Sequence, residues 1–256
     1  MPRRARHFAS DSIFHAGARG VDRQPIFLTD AERRLFIDTM VSALKADDIA
    51  TISYCLMPNH FHWELATRGN PFDKAFHETM TRHAMRFNRL HGRTGHLFED
   101  RHWSKRCEDT RHIENAIAYI HLNPHRANLV RDPREWEWSS YREWSGEATG
   151  IVDFERAAEL AGKSVEELLK SHEERVRSEI AGGPRGMDIE ALIEDAASVF
   201  GISEESLKSG ARGHAFTLAK LRLLDRCADE NLSVDELAKA LGCTREAIYM
   251  LRKRRN

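Results

Sequence analysis

Read for its alternation of apolar and polar positions, the first half of the chain switches repeatedly between a period of two and a period near 3.6. The run IFHAGA (13–18) alternates as an early strand does. It passes through the turn-like RGVDRQP into a helix of about 15 residues. Thr29 opens that helix as N-cap, with Glu32 three places on, which is a capping box. ATISYCLM and HFHWELA follow, separated only by Pro58-Asn59, and predict two paired strands joined by a tight turn. From about Phe72 to Leu90, Phe76, Met80, Ala84 and Phe87 recur at helical spacing, and the helix ends before an HGRTG loop. Another strand is expected near Trp103. A helix after Thr110 carries Ile113, Ile117 and Ile120 and is expected to stop at Asn123-Pro124, because proline disfavours continuation. This order of elements predicts an α+β fold, a ferredoxin-like antiparallel sheet with flanking helices.

The second half reads differently. Residues 146–186 are charged and alanine-rich, with helix expected near 153–180 and a linker at Gly182 to Gly186. Residues 187–256 show helical periodicity only, with cap candidates at Ser203, Ser233 and Thr244. Within them, Ala238, Gly242 and Ile248 have the spacing of a helix-turn-helix: a small residue where helices cross, a glycine in the turn, and a β-branched core residue beyond it. Thr244, Arg245, Tyr249 and Arg252 are then candidates to face DNA from the second helix. The competing reading is a small helical bundle with a basic tail. The chain is therefore divided into a domain at 1–145, a helical connector and linker at 146–186, and an all-α helix-turn-helix domain at 187–256.

Composition adds limits rather than direction. Of 256 residues, 41% are hydrophobic and 31% charged, which suits folded globular domains. The basic start MPRRARHF precedes no apolar run of secretory length, and no stretch reaches the roughly 18 apolar residues of a membrane span, so a cytoplasmic protein without a membrane partner is expected. The four cysteines are scattered without a CxxC pair and read as free thiols. Net charge is -1, but residues 1–145 carry 22 Lys+Arg against 19 Asp+Glu, and 12 of the 14 histidines. A mild local bias of this kind is compatible with a phosphate-binding groove.

The candidate chemistry lies in that half. Side chains alternate along the strand that starts at His60, so His60, His62 and Glu64 share one face while Phe61, Trp63 and Leu65 take the other. Two imidazoles so placed can grip one metal ion, although an HxH alone equally fits surface histidines on a half-buried strand. Glu64 could join such a metal shell or sit in solvent. On the later helix, Tyr119 and Asn123 stand one turn apart on one face. A phenol with a pKa near 10 is a poor nucleophile at neutral pH, and a divalent metal that polarises a phosphate would lower the barrier. Asn123 could supply a carboxamide oxygen as third ligand. A zinc hydrolase built on His60, His62 and Cys55 is disfavoured by the lack of a general-base motif such as HExxH.

Four strings carry a resemblance: YCLMPNHFHW (54–63), GRTGHLFEDRH (92–102), AYIHLNPHRANLV (118–130) and WSSYREW (138–144). With RGVDRQPIF (19–27), they resemble the REP-associated tyrosine transposases, a single-tyrosine, His-hydrophobic-His family, over about residues 12–145. The resemblance implies His60 and His62 as metal ligands, Asn123 completing the shell, Mg2+ or Mn2+ as the metal, and Tyr119 as nucleophile. It implies attack on single-stranded or hairpin DNA through a 5′-phosphotyrosine link that frees a 3′-hydroxyl. Ala18 stands where the family has a polar residue before Arg19-Gly20. More loosely, residues 187–256 resemble the DNA-binding end of bacterial replication initiators.

Arg19, Arg93, Arg101, Lys105 and Arg106 are the DNA-binding candidates of the first domain. Most of them lie among His96, Phe98 and Trp103, and cations interleaved with flat rings suit a single strand. The rival is a DNA-binding regulator whose catalytic half is a relic, against which stand the intact His60, His62 and Tyr119. A homodimer is left open.

Overall fold

The computed structural model describes residues 11–181, 189–200, 202–209, 213, 216–217, 219–221, 223–224, 234–244 and 247–248. Its first part runs β1 (Ser12–Arg19), α1 (Asp30–Ala46), β2 (Ala50–Leu56), β3 (His60–Thr67), α2 (Asp73–Leu90), β4 (Trp103–Arg106) and α3 (Thr110–Arg126). The strands form one antiparallel sheet in the order β2-β3-β1-β4, the ferredoxin-like arrangement that the pattern predicts. The capping box closes α1 as expected: Thr29 Oγ1 accepts from the Glu32 amide at 3.3 Å, and Glu32 Oε2 accepts from the Thr29 amide at 2.9 Å.

Strand alternation sorts the sheet into two faces. Phe14, Ala16, Ala18, Phe61, Trp63 and Leu65 face α1 and α2, where Phe36, Met40, Phe76 and Phe87 complete the main core. Burying each large side chain of this set contributes about 1.5–3 kcal/mol. On the other face, Ile13, Ile52 and Ala66 meet Ile113, Ala116 and Ile117 of α3. The free edge of β2 is lapped by the segment from Trp136 to Trp144. There Trp136 Nε1 donates to the Leu56 carbonyl at 3.1 Å, Trp144 Nε1 donates to that of Ile52 at 3.1 Å, and Ser140 Oγ accepts from the Tyr54 amide at 2.8 Å.

Two expectations are corrected here. The helix expected to stop at Asn123 continues to Arg126 with Pro124 inside it. A proline in the last turn deletes only the bond to the Ile120 carbonyl, and two later amides offset it: Ala127 donates to Asn123 O at 2.9 Å and Leu129 to Pro124 O at 2.7 Å. The stretch expected to be helical near 153–180 is interrupted, forming α5 (Phe154–Ala161) and α6 (Val165–Ala181), because Gly162 turns left-handed at φ 66° and ends the first. α4 (Tyr141–Trp144) precedes them.

α6 lies along α3, joined by Arg175 to Glu114 at 2.8 Å and by a buried contact of His121 Nδ1 with His172 Nε2 at 3.0 Å, while Lys163, just before α6, forms an ion pair with Glu114. Beyond it come α7 (Ile189–Phe200), α8 (Glu204–Lys208) and α9 (Val234–Ala240), sharing a core of Leu192, Ile193, Phe200, Leu237, Leu241 and Ile248. Gly242 has φ 60° after α9, and Thr244 Oγ1 accepts from the Ala247 amide at 3.2 Å. α7 also lies against the short turn at Val21–Arg23. The linker at 182–186, Ser233, Arg245, Tyr249 and Arg252 fall outside the described residues. Among the described residues, no helix is long and apolar enough to cross a membrane.

Candidate active site

The face of the sheet toward α3 gathers the candidate groups. In register, β1 sets Arg19 opposite His60, Gly17 opposite His62 and His15 opposite Glu64, while β4 sets Trp103 opposite Gly17 and Lys105 opposite His15. Residues directly opposite share a face. Gly17 has a structural reason to be glycine, since a Cβ there would lie 2.3 Å from the Phe61 carbonyl oxygen and 2.8 Å from Trp103 Cζ2. The indole takes that space instead.

Glu64 shares the histidine face, as alternation requires, but does not reach solvent. It is fully buried, accepting from Ser53 Oγ at 3.0 Å and contacting Cys107 Sγ at 3.8 Å. Burial pushes its carboxyl from the usual 4.5 up to about 8, against those two bonds. The folded state therefore holds a proton that the unfolded chain releases near pH 4.5, so its stabilising contribution is full below pH 4.5 and declines until pH 8. Glu64→Gln should cancel that decline: the stability of the variant relative to the parent should rise by on the order of a few kcal/mol between pH 4.5 and 8. Urea melts across this range test it, and a pH-independent difference would place the proton elsewhere.

At the other end of β3 the two histidine rings stand 5.0 Å apart, centroid to centroid, at 84°. His60 Nδ1 lies 2.7 Å from Asn59 Oδ1, and the Asn123 side chain bonds the same ring. His62 Nδ1 lies 3.0 Å from His15 Nε2, whereas His62 Nε2 is buried with no hydrogen-bond partner. Burial lowers His60 to about 4, Arg19 adding to the fall, and holds His62 well below 6.5, with His60 and His15 adding to it. Both rings are neutral at pH 7, the form that ligates a metal. Neutral imidazoles, an otherwise unanswered buried Nε2 and a carboxamide beside His60 suit a divalent cation. Among the described residues, no group of three or more His, Cys, Asp or Glu is arranged to hold one.

α3 brings Tyr119 over this pair. Its ring centroid is 5.4 Å from that of His62 and 6.0 Å from that of His15, yet the residue remains 43% exposed. An ordinary core tyrosine would not be so open. Tyr119, His60, His62, Trp103, Arg19 and Asn59 line one cleft of about 520 Å³. Arg126 places its guanidinium 5.5 Å from the Tyr119 ring centroid and is tied to Glu179 of α6 at 2.7 Å. Asn123 stays in the helix, its Nδ2 donating to the Tyr119 carbonyl at 3.4 Å.

The predicted cations divide. Arg19 lines the cleft but is bidentate to Glu99, with contacts of 2.9–3.1 Å. Lys105 is exposed on the histidine side of β4, while Arg106, opposite Phe14, belongs to the reverse side. Arg93 stacks on Phe87 at 5.7 Å, and Arg101 is exposed on the loop before β4; neither lines the cleft. Thr244 is exposed in the C-terminal part. Sequence reading missed His15, Asn59 and Arg126. The alternation of β1 could have flagged His15, since it shares a face with Gly17 and Arg19.

Scanned against protein-family models, the chain matches none. A curated protein of Haemophilus influenzae, provisionally named a REP-associated tyrosine transposase, is 24% identical over 135 residues, spanning 47% of this chain and 74% of that protein. A solved structure described as a REP-associated tyrosine transposase bound to a REP hairpin is similar with a TM-score of 0.48 and 15% identity, covering 60% of this chain and 89% of that one.

Proposed function

We infer that this chain, which belongs by its motifs and its curated relative with the REP-associated tyrosine transposases, cuts and rejoins single-stranded DNA next to a hairpin, with Tyr119 as nucleophile. One observation carries the reading: an exposed tyrosine stands 5.4 Å from a buried histidine whose Nε2 has no partner. In the step, Tyr119 Oη forms a bond to phosphorus, the bond from phosphorus to the 3′-oxygen breaks, and the phenol proton is made up on the departing 3′-hydroxyl. The product is a 5′-phosphotyrosine, which keeps the bond energy of the diester. Attack by a 3′-hydroxyl reverses it without any other reactant.

His60, His62 and Asn123 are the residues that would hold a divalent cation, Mg2+ or Mn2+. Such a cation, when bound, withdraws charge from the phosphate oxygens. The histidines add no positive charge of their own at neutral pH, so they stay available as ligands. Trp103, 42% exposed at the cleft, offers a face for a base beside the scissile phosphate. Arg19, Arg101 and Lys105 supply phosphate contacts, Arg19 by exchanging Glu99 for the strand. Single-stranded hairpin oligonucleotides labelled at the 3′ end, incubated with the protein and Mg2+ or Mn2+, should yield a denaturant-resistant protein adduct carrying the label and a free 3′-hydroxyl fragment. Cleavage leaving a 5′-phosphate and no adduct would make water the nucleophile and overturn the reading.

Residues 187–256 are assigned a separate task, gripping the double-stranded stem, on the helix-turn-helix spacing of Ala238, Gly242 and Ile248. Ala238 and Ile248 are buried in the C-terminal core, as that spacing requires. A chain ending at Arg185 should keep nicking short single strands but bind stem-containing DNA more weakly. Its logarithmic salt slope should be shallower by about one to two, roughly 0.9 for each phosphate that Arg245, Arg252 and their neighbours no longer neutralise. Equal slopes for the two proteins would leave this segment some task other than DNA binding.

A further inference from the structure

His62 reaches its position on a strand whose neighbours decide what its ring can do. Gly17 sits directly opposite it on β1, and Trp103 sits opposite Gly17 on β4. Because Gly17 has no side chain, the indole lies across that space and its edge meets the His15 ring, with centroids 4.8 Å apart at 75°. His15 is thereby held from one side by Trp103, and on the other its Nε2 meets His62 Nδ1 at 3.0 Å. One of these two nitrogens carries the proton between them. If His15 donated it, His62 would have to carry its own proton on Nε2, a buried atom with no acceptor. A buried donor without a partner costs about 1–3 kcal/mol and would turn its proton toward the place of the cation, whereas a lone pair there is answered by a cation, so the opposite arrangement suits the site.

We propose that His15 is the positioning residue of this site: it accepts the Nδ1–H of His62 and so presents the His62 Nε2 lone pair to the cleft. The inference rests on the reading of the cleft as a metal centre. It differs from that reading in assigning a task to a β1 residue that touches neither cation nor DNA. Asn59 stands in the matching position toward His60, whose Nδ1 lies 2.7 Å from Asn59 Oδ1. Both imidazoles are thus held through Nδ1, and the Nε2 of His62 is left without a partner in the protein. Partners of this kind, set behind a metal-ligating histidine, typically alter metal affinity 10- to 100-fold when removed.

Three variants, the parent and two measurements test this. His15→Leu removes the acceptor, and His15→Gln keeps one on its carboxamide oxygen. His62→Ala is the control for the site itself. Titration with Mn2+, followed through the spectrum of the free ion, should show affinity reduced by about 10- to 100-fold in His15→Leu and within about 3-fold of the parent in His15→Gln. Nitrogen NMR of the metal-free parent chain should find His62 protonated on Nδ1, a readout that does not require any variant to fold. His62 protonated on Nε2, or Mn2+ affinity unchanged in a folded His15→Leu protein, overturns the proposal alone. Absence of Mn2+ binding in the parent, or undiminished binding in His62→Ala, overturns the metal centre and this inference with it.

Discussion

Replacing Tyr119 with phenylalanine is expected to abolish the covalent protein–DNA adduct, a loss of roughly 10⁴-fold or more, while DNA binding stays within about 2-fold of the parent. The change deletes one oxygen and keeps the ring against His62 and under Arg126, so the packing of α3 is untouched. Because the side chain is 43% exposed, its hydroxyl is not needed to satisfy a buried partner, and the melting temperature should move by no more than about 2 °C. Two other tyrosines, each within one of the four strings, offer no rescue. Tyr54 is 5% exposed and stacked 4.8 Å from Trp63, and burial pushes its phenol far above the ordinary range. Tyr141 is 7% exposed among Ala118, Leu122 and Val176. Adduct formation by the Tyr119→Phe protein, mapped by mass spectrometry to another residue, would reject the assignment.

His62→Ala is expected to remove metal-dependent cleavage, a loss of roughly 10³-fold or more, and to weaken Mn2+ binding by at least about 100-fold. His60→Ala should follow it closely. The two differ in what they leave behind. His62 is itself buried and its loss also strands the His15 nitrogen, whereas His60 is half-buried at the cleft. The His62 variant should therefore also lose about 1–3 kcal/mol of stability, and the His60 variant less. Because burial keeps both rings neutral, cleavage in the parent should not fall between pH 8 and 6, and protonation near pH 4 is what should finally stop it. Calorimetry with Mn2+ beside cleavage assays on the same preparations checks both statements. Full cleavage with either alanine would exclude the pair as the metal site.

Much of this molecule is legible in local chemistry. The alternation of β1, β2 and β3 and the helical spacing of α1 and α2 specify these elements in ferredoxin-like order, because each must bury one face and the periods of 2 and 3.6 say which. The pairing of His60 with His62, and of Tyr119 with Asn123, follows from the same periodicities. Contacts between elements are another matter. Nothing in the spacing of IFHAGA tells that His15 meets His62; the antiparallel register of β1 on β3 decides it, with Gly17 admitting Trp103 beside them.

Glu64 shows the limit sharply. Alternation places it with the histidines, but only the closure of Ser53 and Cys107 over it makes that end of the strand dry and the His60 end open. Pro124 is a local helix-breaker that the tertiary structure overrules, because its one deleted bond falls in the last turn of a buried segment. α6 looks like a connector from its charges, and its charges are what dock it: Glu114 of α3 meets Lys163 and Arg175 of this region across a packed surface. Local sequence determined the elements and the faces of the reacting groups, since propensity and alternation act within a few residues. The tertiary structure decided which of those groups are dry, which are paired and which remain open to a strand of DNA, because burial and pairing depend on residues far apart in the chain.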